Sequence, residues 1–294
     1  MTGTTTGAAK KMVVVSFFCC FALTSPFVHA QDNSALKRDG RIAGTGGVTS
    51  ISGASGGGLI PWATLGSYAD AGQRGGSAFL TRVDVDDYEL SVTGGALSFG
   101  NRVEVSYARQ DFVIKSADLR VRQDKTGVKF RLFGDIIFEN APQVSVGMEH
   151  GSLRDKGLAR AVGADHTGGS DYTVSFAKAW LNGIASRTTL LNVNMRYGQA
   201  NQFGILGYGG DDQGGKWTSE IAAAVFLTRE IVVGAEYRQK PDNLAALRED
   251  DAKDLFIAWF PNKRVSLTAA WVDLGEIAGA PNQRGAYLSA QLSF

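Results

Sequence analysis

Through most of residues 76–294, apolar side chains recur at every second position. In Trp217–Leu227 the residues Trp217, Ile221, Ala223, Val225 and Leu227 share one face, with Thr218 and Glu220 on the other. In Ile231–Arg238 the residues Ile231, Val233, Ala235 and Tyr237 oppose Val232, Gly234, Glu236 and Arg238. Leu191, Val193, Met195 and Tyr197 likewise oppose Asn192, Asn194 and Arg196; Val128, Phe130 and Leu132 oppose Lys129 and Arg131; Val103, Val105 and Tyr107 oppose Glu104 and Ser106. A period of two places successive side chains on opposite faces of a sheet. The pattern predicts twelve strands, at 76–84, 88–99, 102–112, 127–137, 143–149, 171–180, 187–197, 216–227, 230–239, 253–260, 264–273 and 284–294. Lys178 is an irregularity, since it shares the face of Val174, Phe176 and Trp180; near a strand end it can reach the interface.

Soluble sandwiches also alternate, so the linkers must decide. They alternate between short (100–101, 138–142, 181–186, 228–229, 261–263) and long (113–126, 151–170, 198–215, 240–252, 274–283), with only 85–87 brief on the long side. Short periplasmic turns and long outer loops are the pattern of an outer-membrane barrel. Trp180, Trp259, Phe260 and Phe294 fall near the short-turn ends, and Tyr172, Tyr197, Trp217, Tyr237, Trp271 and Tyr287 near the long-loop ends, as two interfacial aromatic girdles would. Strands facing lipid must close on themselves, because only closure satisfies every backbone N–H and C=O there. The predicted fold class is all-β: a transmembrane antiparallel β-barrel of the Gram-negative outer membrane with about twelve strands. Fourteen become possible if 46–52 and 62–68 add two, although Pro61 has no N–H for a ladder.

The first thirty residues change the picture of location. Lys10 and Lys11 precede the apolar run "MVVVSFFCCFAL" and a small-x-Ala end at Ala30, the pattern of a cleaved secretory signal. The expected organisation is a signal peptide at 1–30, a Gly-rich arm, hatch or first hairpin at 31–75, and the barrel at 76–294. Both cysteines, Cys19 and Cys20, fall in the leader, so no disulfide is expected in the exported chain. Two of the 30 basic residues leave with the leader, which sets 28 against 29 acidic ones. That balance argues against nucleic-acid binding. Glycine, 37 of 294 residues, is about twice its usual share of roughly 7% and suits a chain of many short strands.

Candidate chemistry is sparse. His150 and His166 are the only histidines after the leader, and no serine sits in a G-x-S-x-G nucleophile context. His166 with Asp165 and Asp171 makes an incomplete ligand set. The acids of "REDDAKD" (248–254) and "DVDD" (84–87) lack EF-hand spacing and read as solvated loops, while "GYGGDDQGG" (207–215) has no phosphate-loop Lys. No catalytic, cofactor or metal residue is therefore assigned. The polar strand faces carry more: Glu104, Lys129, Arg131, Arg196, Glu220, Glu236 and Arg238 are expected to line the barrel interior, as a narrow hydrated passage or a salt-bridged block. The C-terminal strand carries Tyr287, Leu288, Ala290, Leu292 and Phe294, expected to serve as the signal for the barrel-assembly machinery.

The segments "NQFGILGYGGD" (201–211), "GAEYRQKPDNL" (234–244), "KDLFIAWFPNKRVSLTAAWVDLGEIAG" (253–279) and "NQRGAYLSAQLSF" (282–294) resemble a proteobacterial family classed as a domain of unknown function, DUF3034. The resemblance runs from about Gly44 to Phe294. It implies a signal-bearing outer-membrane protein and brings no activity, substrate or catalytic residues. The expected function is a porin-like, narrow passive channel for a small solute. The alternatives are a non-conducting barrel whose long loops bind lipopolysaccharide or another partner, and a lipase-like barrel enzyme acting on envelope lipid.

Overall fold

The computed structural model describes Gly44, residues 47–69, 72–210, 214–244 and 247–294; the expected signal peptide lies outside them. Two short strands, β1 (Val48–Thr49) and β2 (Ser55–Gly56), pair only with each other. Twelve more form a closed antiparallel barrel. They are β3 (Arg74–Val85), β4 (Tyr88–Phe99), β5 (Val103–Ile114), β6 (Leu119–Phe133), β7 (Gln143–Leu153), β8 (Gly168–Trp180), β9 (Thr189–Gly198), β10 (Lys216–Phe226), β11 (Ile231–Arg238), β12 (Ala252–Asn262), β13 (Val265–Asp273) and β14 (Arg284–Ser293). Each pairs with its sequence neighbours, and β14 returns to β3 with Gly285 opposite Val85 and Ser293 opposite Ser77. The barrel thus has twelve strands. The segment 62–68 supplies none, and Pro61 makes only an isolated bridge to Gly56.

The largest departure from the expected elements is at 113–126, which is strand on both sides of a tight turn at 115–118. Its alternation is hidden because β5 and β6 extend into water, where charge replaces apolar patterning. Arg109 pairs with Asp124 at 3.3 Å, and Arg122 holds Asp155 at 2.8 Å. The loop lengths are consequently less cleanly sorted than expected. Residues 115–118 are short on the long-loop side, whereas 134–142 and 181–188 are extended on the other. The loop 154–167 also contains one helical turn, α1 (Gly157–Ala161).

The outer face is apolar. Leu80, Leu97, Val105, Phe130, Ile221 and Leu255 are among the large side chains exposed on it, and an exposed band of this kind costs nothing only against lipid. Trp180, Trp259 and Phe294 at one end, with Tyr172, Tyr197, Trp217, Tyr237 and Trp271 at the other, are exposed as girdle residues. Phe260 and Tyr287 are not: both point into the barrel and are buried. Tyr287 falls on the face of Ser289 and Gln291, so its position in the ladder, rather than its chemistry, fixes its direction. Lys178 does face outward, and its ammonium turns to the carbonyl of Glu139 in the 134–142 turn.

Candidate functional site: a plugged interior

Residues 47–69 lie inside the barrel as a plug, nearly all of them buried. A chain without a regular ladder must satisfy its backbone elsewhere, and here the strand walls do it. Glu104 accepts the N–H groups of Ser55 (3.0 Å) and Gly66 (2.6 Å). Beside it, Lys129 donates to the carbonyls of Ser55 (2.7 Å) and Thr64 (2.9 Å) and lies 3.4 Å from Glu104 itself. Glu236 accepts from the Leu59 N–H at 2.7 Å and the Trp62 indole at 3.0 Å, while Arg238 donates to the Leu59 carbonyl at 2.9 Å. Neutral groups complete the set. Asn192 accepts the Ala63 N–H, Gln143 and Ser145 donate to the Ala63 carbonyl, and Asn194 donates to that of Pro61. Two acids and two bases are therefore committed to plug backbone, in two clamps on opposite walls.

A second network stiffens the wall above. Arg196 contacts Glu220 at 2.6 Å, Glu149 at 3.0 Å and Asp171 at 3.6 Å; Arg238 reaches Glu220 at 3.3 Å. Ser52 of the plug donates to Glu149 at 2.6 Å, which joins the network to the plug. All of these ionic groups are buried. The β3–β5 side of the interior is apolar instead: Phe79, Val83, Val85, Leu90, Val92 and Phe112 point inward and pack against Ile51, Leu59, Phe203 and Ile277. The interior is thus mixed: charged groups run round it from β5 to β12, and the apolar side chains form a patch on β3–β5.

Residues 199–210 fold back into the barrel mouth, with Phe203, Ile205, Leu206 and Tyr208 buried. Gln202 (φ 43°) and Phe203 (φ 59°) take the left-handed conformation there, which costs energy for residues other than glycine. The strained turn is held by Glu249 and Lys240, which lie between β11 and β12. Both oxygens of Glu249 accept the Gln202 N–H (2.8 and 2.9 Å), and Lys240 donates to the Gln202 side chain (2.7 Å) and the Leu274 carbonyl (3.0 Å). The Phe203 ring lies 4.5 Å beneath the Arg238 guanidinium. Burial pushes the Glu249 carboxyl up to about 7 and the Lys240 ammonium down to about 8.

Of the seven residues expected inside, Glu104, Lys129, Arg196, Glu220, Glu236 and Arg238 stand in these two networks. Arg131 sits apart at the short-turn end, bound to Gly134 and Asp135. Of the C-terminal set, Leu288, Ala290, Leu292 and Phe294 face outward and Tyr287 inward. His166, Asp165 and Asp171 do not meet: Asp171 belongs to the Arg196 network, and Asp165 accepts the Gly210 N–H. His150 is on the exposed face of β7, 2.9 Å from Ser170. The acids of 248–254 are not a solvated run either, since Glu249 and Asp254 are buried. Glu149, Asp171 and Asp254 are interior residues that sequence reasoning missed. Asp171 was legible in principle, because it shares the face of Thr173 and Ser175 opposite Tyr172, Val174 and Phe176.

A closed barrel with an apolar outer band and its own N-terminal segment lodged inside defines the class: a plugged β-barrel of the outer-membrane type. The chain belongs to the family described as a protein of unknown function, DUF3034, whose model matches residues 45–291. No curated protein sequence matches it. Solved structures of similar fold include the KdgM porin, 10% identical, covering 74% of this chain and 99% of that one with a TM-score of 0.48. The COG4313 outer membrane channel from Pseudomonas putida F1 is 9% identical, covering 76% and 96% with a TM-score of 0.46. The outer membrane protein Omp33 of Acinetobacter baumannii is 12% identical, covering 76% and 98% with a TM-score of 0.43.

Proposed function

We propose that this protein is a gated outer-membrane channel, closed in its resting state by residues 47–69, which passes a small solute when they withdraw. The observation that carries the reading is the clamping of plug backbone by Glu104, Lys129, Glu236 and Arg238. A barrel filled only for stability has little use for buried charge: replacing buried ion pairs with apolar side chains is often neutral or stabilising by about 1–4 kcal/mol. Charged clamps can instead exchange plug backbone for water, each such hydrogen bond contributing about 1.5–3 kcal/mol net. Withdrawal of the plug would leave a hydrated lumen with charged groups on opposite walls and an apolar patch on β3–β5. Transport would be passive, selected by size and by this charge pattern.

The test is single-channel conductance in planar bilayers of the parent and of a variant lacking residues 47–69. The parent is expected to be silent or to open rarely, and the deletion variant to show discrete steps. A deletion variant that folds, judged by heat-modifiable migration, yet stays silent would sink the channel reading. It would favour the non-conducting barrel, whose specific support is the same filled interior.

A further inference from the structure

We propose that the short-turn end of the barrel is a binding pocket for a small amphipathic carboxylate. This rests on the channel reading and names its class of solute. Below the plug, with Trp62, Thr64 and Leu65 as its roof, lies a cavity of about 710 Å³, within the range of small-molecule sites. Its two sides differ. Ile136, Ile137, Ala179, Leu190 and Phe226, from the 134–142 turn and strands β8–β10, make one side apolar. Arg102, Arg131, Asp135 and Gln143, from the β5–β7 side, make the other polar.

The polar side is net cationic in what it offers a ligand. Asp135 is already committed: one oxygen accepts the N–H groups of Ile137 and Phe138, both at 2.8 Å, and the other lies 3.3 Å from Arg131. Gln143 is committed to the plug. Arg102 is exposed at the mouth and makes a single hydrogen bond from Nη1, to the Leu132 carbonyl at 3.0 Å. Its guanidinium matches a carboxylate in shape and charge. A sugar would lose hydration against the apolar side without replacement hydrogen bonds; a flat or aliphatic body would not.

The experiment is titration calorimetry of 2-naphthoate and of neutral 2-naphthol into the barrel held in nanodiscs, with empty nanodiscs subtracted. Saturable naphthoate binding is expected. Arg102→Gln should weaken naphthoate about tenfold and leave naphthol unchanged, and Ala179→Phe should weaken both by narrowing the apolar side of the cavity. No heat beyond empty nanodiscs, equal binding by Ala179→Phe, or equal loss of both probes in Arg102→Gln would each overturn the proposal. If naphthoate fails to bind while the plug deletion conducts, the channel stands and this solute class falls. If naphthoate binds as expected while the deletion is silent, the pocket stands without the channel.

Discussion

Gly57 shows how closely the plug is fitted. A Cβ there would overlap the Glu236 carboxylate, the group that holds Leu59 and Trp62. Gly57→Ala should therefore displace Glu236 and loosen the plug while the barrel stays folded, giving openings absent from the parent; an unchanged closed record would show that the clamp tolerates the shift. Arg196 is the opposite case, a wall residue whose loss takes the ion-pair partner from Glu149 and Asp171 and leaves Glu220 with Arg238 alone. Breaking a buried pair by removing one partner costs about 3–5 kcal/mol. Arg196→Met should lose that much in denaturant unfolding from vesicles, and a loss under about 1 kcal/mol would mean that water reaches the network.

At the scale of an element, the inward-folded segment 199–210 depends on Glu249 and Lys240, and its docking should depend on pH. Burial raises the Glu249 carboxyl from 4.5 to about 7, so the docked state binds more protons than the undocked one between those values, and docking weakens as pH rises through them. Burial lowers the Lys240 ammonium from 10.5 to about 8, so the docked state binds fewer protons between about 8 and 10.5, and docking strengthens as pH rises there. Docking is thus weakest between about pH 7 and 8. Limited proteolysis within 199–210 should be fastest in that window and slower at pH 5; a rate that only rises or only falls from pH 5 to 9 would contradict this. The β5–β6 hairpin teaches a related lesson about legibility. Its ends carry no apolar alternation because ion pairs such as Arg120–Asp111 and Arg109–Asp124 serve there as apolar side chains serve in lipid.

For the whole molecule, the outer band and the closed ladder are one requirement, since no edge can face lipid. Ile257 projects from the middle of β12 and is 47% exposed. Ile257→Arg should lower folding stability in vesicles by about 2–4 kcal/mol, the cost of a basic residue near the bilayer midplane. An unchanged value would mean that this face does not meet hydrocarbon.

The sequence by itself determined the barrel: strand number, outward face, and the inward direction of Glu104, Lys129, Arg196, Glu220, Glu236 and Arg238 all follow from a period of two, because a strand's side chains alternate whatever their environment. What fills the barrel was decided only by tertiary structure. Residues 47–69 have almost no strand or helix of their own, and their contacts run from wall side chains to plug backbone, which every residue carries alike and no pattern marks. The inward turns of Glu249 and Tyr208 were hidden for the same reason. Periodicity reports which face a side chain takes, whereas closure of the mouth depends on which distant carbonyls and amides those side chains meet.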